Sequence, residues 1–283
     1  MDAILFPGQG SQAAGMREQV ERWRPDLLLL ARAAVGADPF ERADEGTRFA
    51  QPAIFCAALA GWRRLRDDVE PALMAGHSLG EITALVAAGA LGAEAGLKLV
   101  AARGRLMQEA AEATGDGGML AVRATDRDEL PALAGDAGLT VANDNSPEQI
   151  VLSGPGAALE RAEAELRERG VRAKRLPVQG AFHSPAMEAA VPEFRRQLDE
   201  VEFRAPSVPV FSCVTAQPFD DVRERLAQAL TRPVRWLEVM RALRERGADH
   251  FVETGPGKVL TGLVRRSLDD VQAEAPALEA AHA

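Results

Sequence analysis

Ser78 stands between Gly76 and Gly80 in Met74-Ala-Gly-His-Ser-Leu-Gly-Glu81. This is the Gly-x-Ser-x-Gly spacing, in which a serine rides a sharp strand-to-helix turn with its hydroxyl exposed. A side chain at either flank would clash with the strand, the helix or an arriving substrate, and the turn strains the central residue. A helix beginning there also aims free N–H groups and a positive dipole end at any oxyanion formed on that serine. The chemistry implied is nucleophilic attack on a carbonyl carbon, which needs a base to take the serine proton. The same residues would also fit a tight turn with a capping serine. Of the four histidines, His77 adjoins Ser78, His250 precedes a strand-like stretch and His282 is in the tail. His183, on the loop Gly180-Ala-Phe-His-Ser-Pro185, is therefore the candidate base, the alternative being a structural or merely exposed side chain.

Both groups must be held by regular elements. Ala72 to Ala75 is short and apolar, as a buried strand is, and Glu81 to Ala88 reads as a helix stopped by Gly89. Ala3 to Phe6 is another buried strand, emptying into Pro7-Gly-Gln-Gly-Ser-Gln12. That loop brings main-chain amides close to a ligand, but it lacks the third glycine of a dinucleotide fingerprint. Helices are expected from Thr47 to Asp67 and from Gly92 to Ala113, the second carrying Arg103 near the middle of its apolar face, where a snorkelling surface arginine is the alternative. Between Gly117 and Gln179 the rhythm becomes strand, helix, strand, strand, helix, strand, with helices at Arg127 to Ala134 and Ala157 to Arg169. This βαββαβ order is the ferredoxin-like arrangement and reads as a small domain inserted into a larger one. Asn143-Asp-Asn-Ser-Pro147 is expected as the turn between its second and third strands. Beyond His183 strands and helices alternate again, and the last fifteen or so residues read as a loosely held terminus.

The 283 residues are 47% hydrophobic and 27% charged, an ordinary globular composition sufficient for one large core or two domains. No apolar run reaches membrane-spanning length and the start lacks the basic segment of a signal peptide, so a cytoplasmic protein with no membrane partner is expected. A net charge of −9 argues against nucleic acid as a partner. Cys56 and Cys213 sit in separate apolar stretches, as buried free thiols would, and no metal site is expected.

Phe6-Pro-Gly-Gln-Gly-Ser-Gln12, Gln51-Pro-Ala53, Ala75-Gly-His-Ser-Leu-Gly-Glu81, Arg103-Gly104 with Met107-Gln108, Asn145-Ser-Pro147, Gly180-Ala-Phe-His183, Pro233-Val234 and Gly255-Pro-Gly-Lys-Val-Leu-Thr-Gly-Leu263 occur in order. Together they resemble the malonyl-CoA:acyl carrier protein transacylases. The resemblance implies an α/β fold: an α/β-hydrolase-like catalytic domain from residues 1–116 and 180–283, and a ferredoxin-like insert at 117–179. It implies transfer of malonyl from malonyl-CoA, by a ping-pong route through an acyl-Ser78 ester, to the phosphopantetheine thiol of an acyl carrier protein. Ser78 and His183 would be catalytic, and Gln9 and Leu79 would give oxyanion-hole N–H groups. Arg103 would clamp the malonyl carboxylate, with Met107, Phe182 and His77 also binding substrate. His183 would be held by a main-chain carbonyl near Pro233 to Trp236, where many relatives have glutamine in place of Arg235. Phenylalanine at position 182 resembles malonyl-selective relatives, whereas methylmalonyl-selective ones tend to have serine. The implied enzyme is monomeric and needs no cofactor, since malonyl-CoA is substrate and phosphopantetheine belongs to the partner.

An ordinary α/β-hydrolase would share the turn, yet it does not call for an arginine clamp. A noncatalytic carrier-binding module is disfavoured by the intact Ser78 and His183. Within the transferases the alternative is a trans-acting polyketide-synthase enzyme with another acyl preference or acyl hydrolase activity. Arg172, Lys174, Arg175, Lys258, Arg265 and Arg266 are the basic residues expected to face an acidic carrier.

Overall fold

A computed structural model describes residues 1–123, 127 and 129–276. In chain order it runs β1 (Asp2–Phe6), α1 (Met16–Trp23), α2 (Asp26–Val35), α3 (Thr47–Leu65), β2 (Pro71–Gly76), α4 (Gly80–Ala87) and α5 (Ala93–Thr114). There follow β3 (Gly117–Arg123), α6 (Leu130–Asp136), β4 (Thr140–Ser146), β5 (Gln149–Pro155), α7 (Gly156–Glu168) and β6 (Arg172–Arg175). After a 3-10 helix at Pro185–Ala190 come α8 (Val191–Asp199), β7 (Val210–Phe211), α9 (Val222–Gln228), α10 (Trp236–Glu245), β8 (His250–Glu253), α11 (Val259–Ser267) and β9 (Gln272–Glu274).

Five strands form a parallel sheet in the order β7-β2-β1-β8-β9. β1 lies at its centre, and strand alternation sends Ile4 and Phe6 into the core beneath α3, α4 and α5 while Ala3 and Leu5 enter the opposite core with α10 and α11. Both faces being covered, β1 reads as an unbroken apolar run, as central parallel strands do. The sheet thereby delivers the C-terminal ends of β1 and β2, with the loops after them, to one edge.

The other four strands form an antiparallel sheet in the order β4-β5-β3-β6. Leu120, Val122, Ile150 and Leu152 face α6 and α7, while Met119, Val151 and Ala142 turn into the main core. Main-chain bonds tie this sheet to the loops before the 3-10 helix and before α10: Gly180 N–H to Gly117 O (3.2 Å), Asp144 N–H to Val234 O (2.8 Å) and Val234 N–H to Ala142 O (2.8 Å).

Three expectations change. The asparagine segment is strand and not turn: β4 continues to Ser146, and only residues 147 and 148 turn, because β5 and Val234 give that backbone partners on both sides. The helix expected from Arg127 begins at Leu130; residues 124–126 and 128 of that stretch lie outside the described residues. The C-terminal stretch includes β9, which adds to the parallel sheet beside β8, whereas His282 and the rest of 277–283 lie outside the described residues. Both cysteines are buried free thiols. Among the described residues no helix is long and apolar enough to cross a membrane.

Candidate active site

Ser78 follows β2 and precedes α4 with φ of 55°, in the left-handed region that a non-glycine residue adopts only when its surroundings enforce it. The flanking glycines show the enforcement. A Cβ on Gly76 would lie 1.9 Å from the Gly80 carbonyl carbon, and one on Gly80 would lie 2.2 Å from the Phe6 carbonyl oxygen, so the crossing of β1, β2 and α4 has no room for a methyl group. His183 also has a positive φ, 56°. Its turn is pinned by Ser184, which caps the following 3-10 helix by accepting from Ala186 N–H (3.2 Å) and donates to Ala181 O (2.6 Å).

The two meet: Ser78 Oγ is 2.8 Å from His183 Nε2. His183 Nδ1 lies 2.8 Å from Ala229 O, and a carbonyl only accepts, so Nδ1 carries the proton and the Nε2 lone pair faces the serine hydroxyl. Burial pushes the imidazole down to about 3, with the positive charge of Arg103 and His77 adding to the effect. The ring is therefore neutral throughout the ordinary pH range, the form a general base requires. The carbonyl comes from Ala229, just past α9, with the main chain of Arg232 helping, and not from residues 233–236. Arg235 points elsewhere, pairing with Glu238 and donating to Val214 O (3.1 Å).

Arg103 is 3% exposed. Its guanidinium donates to Ser78 Oγ (3.0 Å) and to Gln51 Oε1 (2.9 Å), and among the described residues no carboxylate forms an ion pair with it. Burial depresses it from 12.5 to about 10, partly opposed by Glu81. Gln51 passes the link on, donating to Thr47 Oγ1 (2.7 Å), which donates to Gln9 Oε1 (2.9 Å). Gln51 also approaches Met107 Sδ at 3.5 Å. The chain Arg103–Gln51–Thr47–Gln9 thus joins the cationic group to the loop after β1. Among the described residues neither the Gln9 nor the Leu79 main-chain N–H has a hydrogen-bond acceptor.

Phe182 is buried and lines a cavity of about 690 Å³ with Gln9, Gln108 and Ala111. On the other side of Gln9 a second cavity of about 420 Å³ is bounded by His77, Asn145, Lys258 and Arg266. His77 Nε2 is 2.9 Å from Asn145 Oδ1 and its ring meets Trp236 edge-on at 5.3 Å, so this histidine ties the serine turn to β4. The structure therefore gathers Ser78, His183, Arg103 and Met107 around one centre, with Gln9 and Leu79 bordering it and Phe182 and His77 on flanking walls. Reading the sequence missed the roles of Thr47, Gln51, Ala229 and Asn145. Gln51, a polar residue inside the apolar run of α3, carried a legible signal, whereas a main-chain acceptor such as the Ala229 carbonyl carries none. Among the described residues no group of three or more His, Cys, Asp or Glu converges as a metal site.

The chain matches the acyl transferase domain family over residues 32–281. It is 36% identical to a malonyl CoA-acyl carrier protein transacylase of Salmonella typhimurium, over 96% of this chain and 94% of that one. It is 43% identical to the polyketide biosynthesis protein ThaF of Burkholderia thailandensis, over 95% of this chain but only 24% of that protein. The crystal structure of a malonyl-CoA:acyl carrier protein transacylase from Xanthomonas oryzae superimposes with a TM-score of 0.90 at 38% identity, covering 97% of this chain and 93% of that one.

Proposed function

The chain belongs to the acyl transferase family, and from that premise we propose that it moves malonyl from malonyl-CoA to the phosphopantetheine thiol of an acyl carrier protein. One observation carries the reading: a buried guanidinium touches the nucleophilic hydroxyl, and among the described residues no carboxylate is paired to it. A buried cation in that state is costly, and a planar fork accepts both oxygens of a carboxylate. Malonyl supplies that carboxylate at the far end from its thioester.

With the carboxylate on Arg103, the thioester carbonyl faces Ser78. Ser78 Oγ attacks, His183 Nε2 takes its proton, and the Gln9 and Leu79 N–H groups receive the oxyanion. Collapse expels the coenzyme A thiolate, which recovers the proton from His183. The carrier's thiol repeats the steps in reverse and releases Ser78. A neutral carbonyl at Nδ1, in place of a carboxylate, leaves the imidazolium weakly supported, and Arg103 opposes it. The malonyl carboxylate cancels that opposition, so the substrate assists its own base. Thioester and ester are close in energy, and no cofactor or metal takes part in these steps.

The parallel sheet with residues 1–116 and 180–283 is taken as an α/β-hydrolase-like catalytic domain, and 117–179 as its ferredoxin-like insert. The four-strand order and the Gly180 to Gly117 bond at the junction support the division. Met107 and Phe182 wall the acyl site, and the pantetheine arm approaches past His77. Of the basic residues, Lys258 and Arg266 line that approach and suit an acidic carrier. Arg175 is instead tied to Gly156 O and Arg265 to Ala273 O, while Lys174, exposed, shares its face of β6 with Ala121, which lines the same approach. A monomeric, cytoplasmic enzyme fits the same reading.

The test is intact-mass analysis after malonyl-CoA alone. One malonyl group should appear on the wild type and none on Ser78→Ala, and added carrier protein should remove it faster than water does. Label persisting in Ser78→Ala, or loss to water at the same rate without carrier, would overturn the transferase. Charging a fatty-acid carrier and a polyketide carrier in parallel assigns the pathway, which the relatives divide.

A further inference from the structure

Glu81 ends the serine motif, yet no step above uses it. It lies on the first turn of α4 with no exposed surface. One oxygen, Oε1, accepts from Cys213 N–H at 2.7 Å. The other, Oε2, is buried without a hydrogen-bond partner among the described residues, although the Ser212 hydroxyl lies alongside. Such an oxygen is costly while the group is charged, and the cost falls once that oxygen carries a proton, with the Ser212 hydroxyl alongside to receive it. The charged and titratable groups acting on Glu81 are Arg103 from α5 and the Cys213 thiol from the segment after β7. β1 and β2 bring it none, since Asp2 sits at the far end of β1 beside His250, and Cys56 on α3 lies instead by Arg24 and Asp26.

Arg103 and Glu81 are thus the two charges of the buried centre, acting on each other without direct contact. While the site is empty they sum to zero. A malonyl carboxylate on Arg103 adds a second anion, and the same ledger then closes only if Glu81 becomes neutral. We propose that Glu81 balances the charge of the buried site, ionised while it is empty and taking one proton from solvent when the donor's carboxylate settles against Arg103. Burial raises the Glu81 carboxyl to about 7, which puts this exchange in the working range. Glu81 acts through Arg103 and is a positioning residue. The inference rests on the proposed seating of malonyl on Arg103.

The direction of the pH effect follows. Below about pH 7 Glu81 already holds its proton and donor capture is independent of pH. Above it, capture of malonyl must take up a proton and weakens by up to about tenfold per pH unit. Acetyl-CoA, which carries the same phosphates and adenine but no carboxylate, should not follow. The experiment measures kcat/KM for acylation by both donors from pH 6 to 9 in wild type and Glu81→Gln. Wild type should lose malonyl but not acetyl activity above about pH 7, and the variant should hold the malonyl value level. Parallel profiles for wild type and variant would overturn the proposal. Calorimetry of malonyl-CoA binding to Ser78→Ala in two buffers of different ionisation heat, at pH 8, reads the proton directly and leaves Glu81 intact. Uptake approaching one proton for malonyl-CoA and none for acetyl-CoA is expected, and equal uptake for the two donors would sink the idea. Arg103→Ala separates the failures: if it impairs both donors equally, the seating of malonyl is wrong, and if it is selective for malonyl while no proton is taken up, only the role of Glu81 is wrong.

Discussion

Replacing Arg103 by alanine removes three things at once: a buried cation, its bond to Gln51 and its bond to Ser78 Oγ. The loss at Ser78 touches every donor equally, so the informative quantity is the ratio of kcat/KM for malonyl-CoA to that for acetyl-CoA. Depression of the guanidinium from 12.5 to about 10 corresponds to about 3 kcal/mol of unrelieved burial of positive charge. A carboxylate docked on the fork recovers much of that. The figure falls inside the ~2–5 kcal/mol lost when one member of a buried, hydrogen-bonded charge pair is truncated. At about 1.4 kcal/mol per tenfold, the ratio should drop on the order of 100-fold in Arg103→Ala. Stopped-flow or quench measurement of coenzyme A release in the first turnover isolates acylation from carrier transfer, and a thermal melt checks folding. Acetyl transfer falls only by the part that Ser78 loses. A ratio within about threefold of wild type would refute the clamp, leaving Arg103 as a support for the serine.

The other predictions concern the base, the acyl wall and the serine turn. His183→Ala should slow acylation by ~10²–10⁴-fold. Because the imidazole is held down at about 3, its basic form is already present above that value, so wild-type acetyl-CoA acylation should be level from pH 5 to 8 and fall only in stronger acid; a limb near pH 6.5 would contradict the buried, neutral ring. Phe182 is buried beside Gly180, and in its proposed place as a wall of the acyl site its ring would oppose an α-methyl branch. Wild type should prefer malonyl-CoA to methylmalonyl-CoA roughly 10- to 200-fold, and Phe182→Ser should bring their specificity constants toward parity. Gly80→Ala, driving a methyl group to 2.2 Å from the Phe6 carbonyl, should cost ~1–3 kcal/mol or more and lower Tm by several degrees. Gly92→Ala, with nothing within 4 Å of its Cβ, is the control and should leave Tm nearly unchanged.

The sequence by itself determined the local devices. The apolar runs at β1 and β2, the Gly-x-Ser-x-Gly spacing and the long helices bearing Arg103 and Gln51 are legible because strand and helix periodicity and glycine sterics act over a few residues. The order of strands and helices between 117 and 175 was legible for the same reason. Resemblance of the motifs added roles for Gln9, Leu79, Met107 and Phe182 that spacing alone does not give. Only the tertiary structure decided what depends on chain closure. The carbonyl holding His183 comes from Ala229, 46 residues away, and any residue type could supply it, so no side-chain pattern marks it. Glu81 meets Cys213 N–H across 132 residues, a contact that exists only once β7 pairs with β2, and His77 meets Asn145 across 68, which requires the antiparallel sheet to dock as well. The asparagines 143 and 145 have turn composition, yet Val234 and β5 offer their backbone ladder bonds and the segment becomes strand. Which cations lie toward the cavity beside Gln9 was likewise a matter of packing: alternation on β6 turns Arg175 away and leaves Lys174 on the face of Ala121, which lines that cavity, β9 captures Arg265, and Lys258 and Arg266 line the cavity themselves. Local sterics write the elements into the sequence, while the partners that tune a buried serine, histidine and arginine are chosen by loops that close over tens of residues.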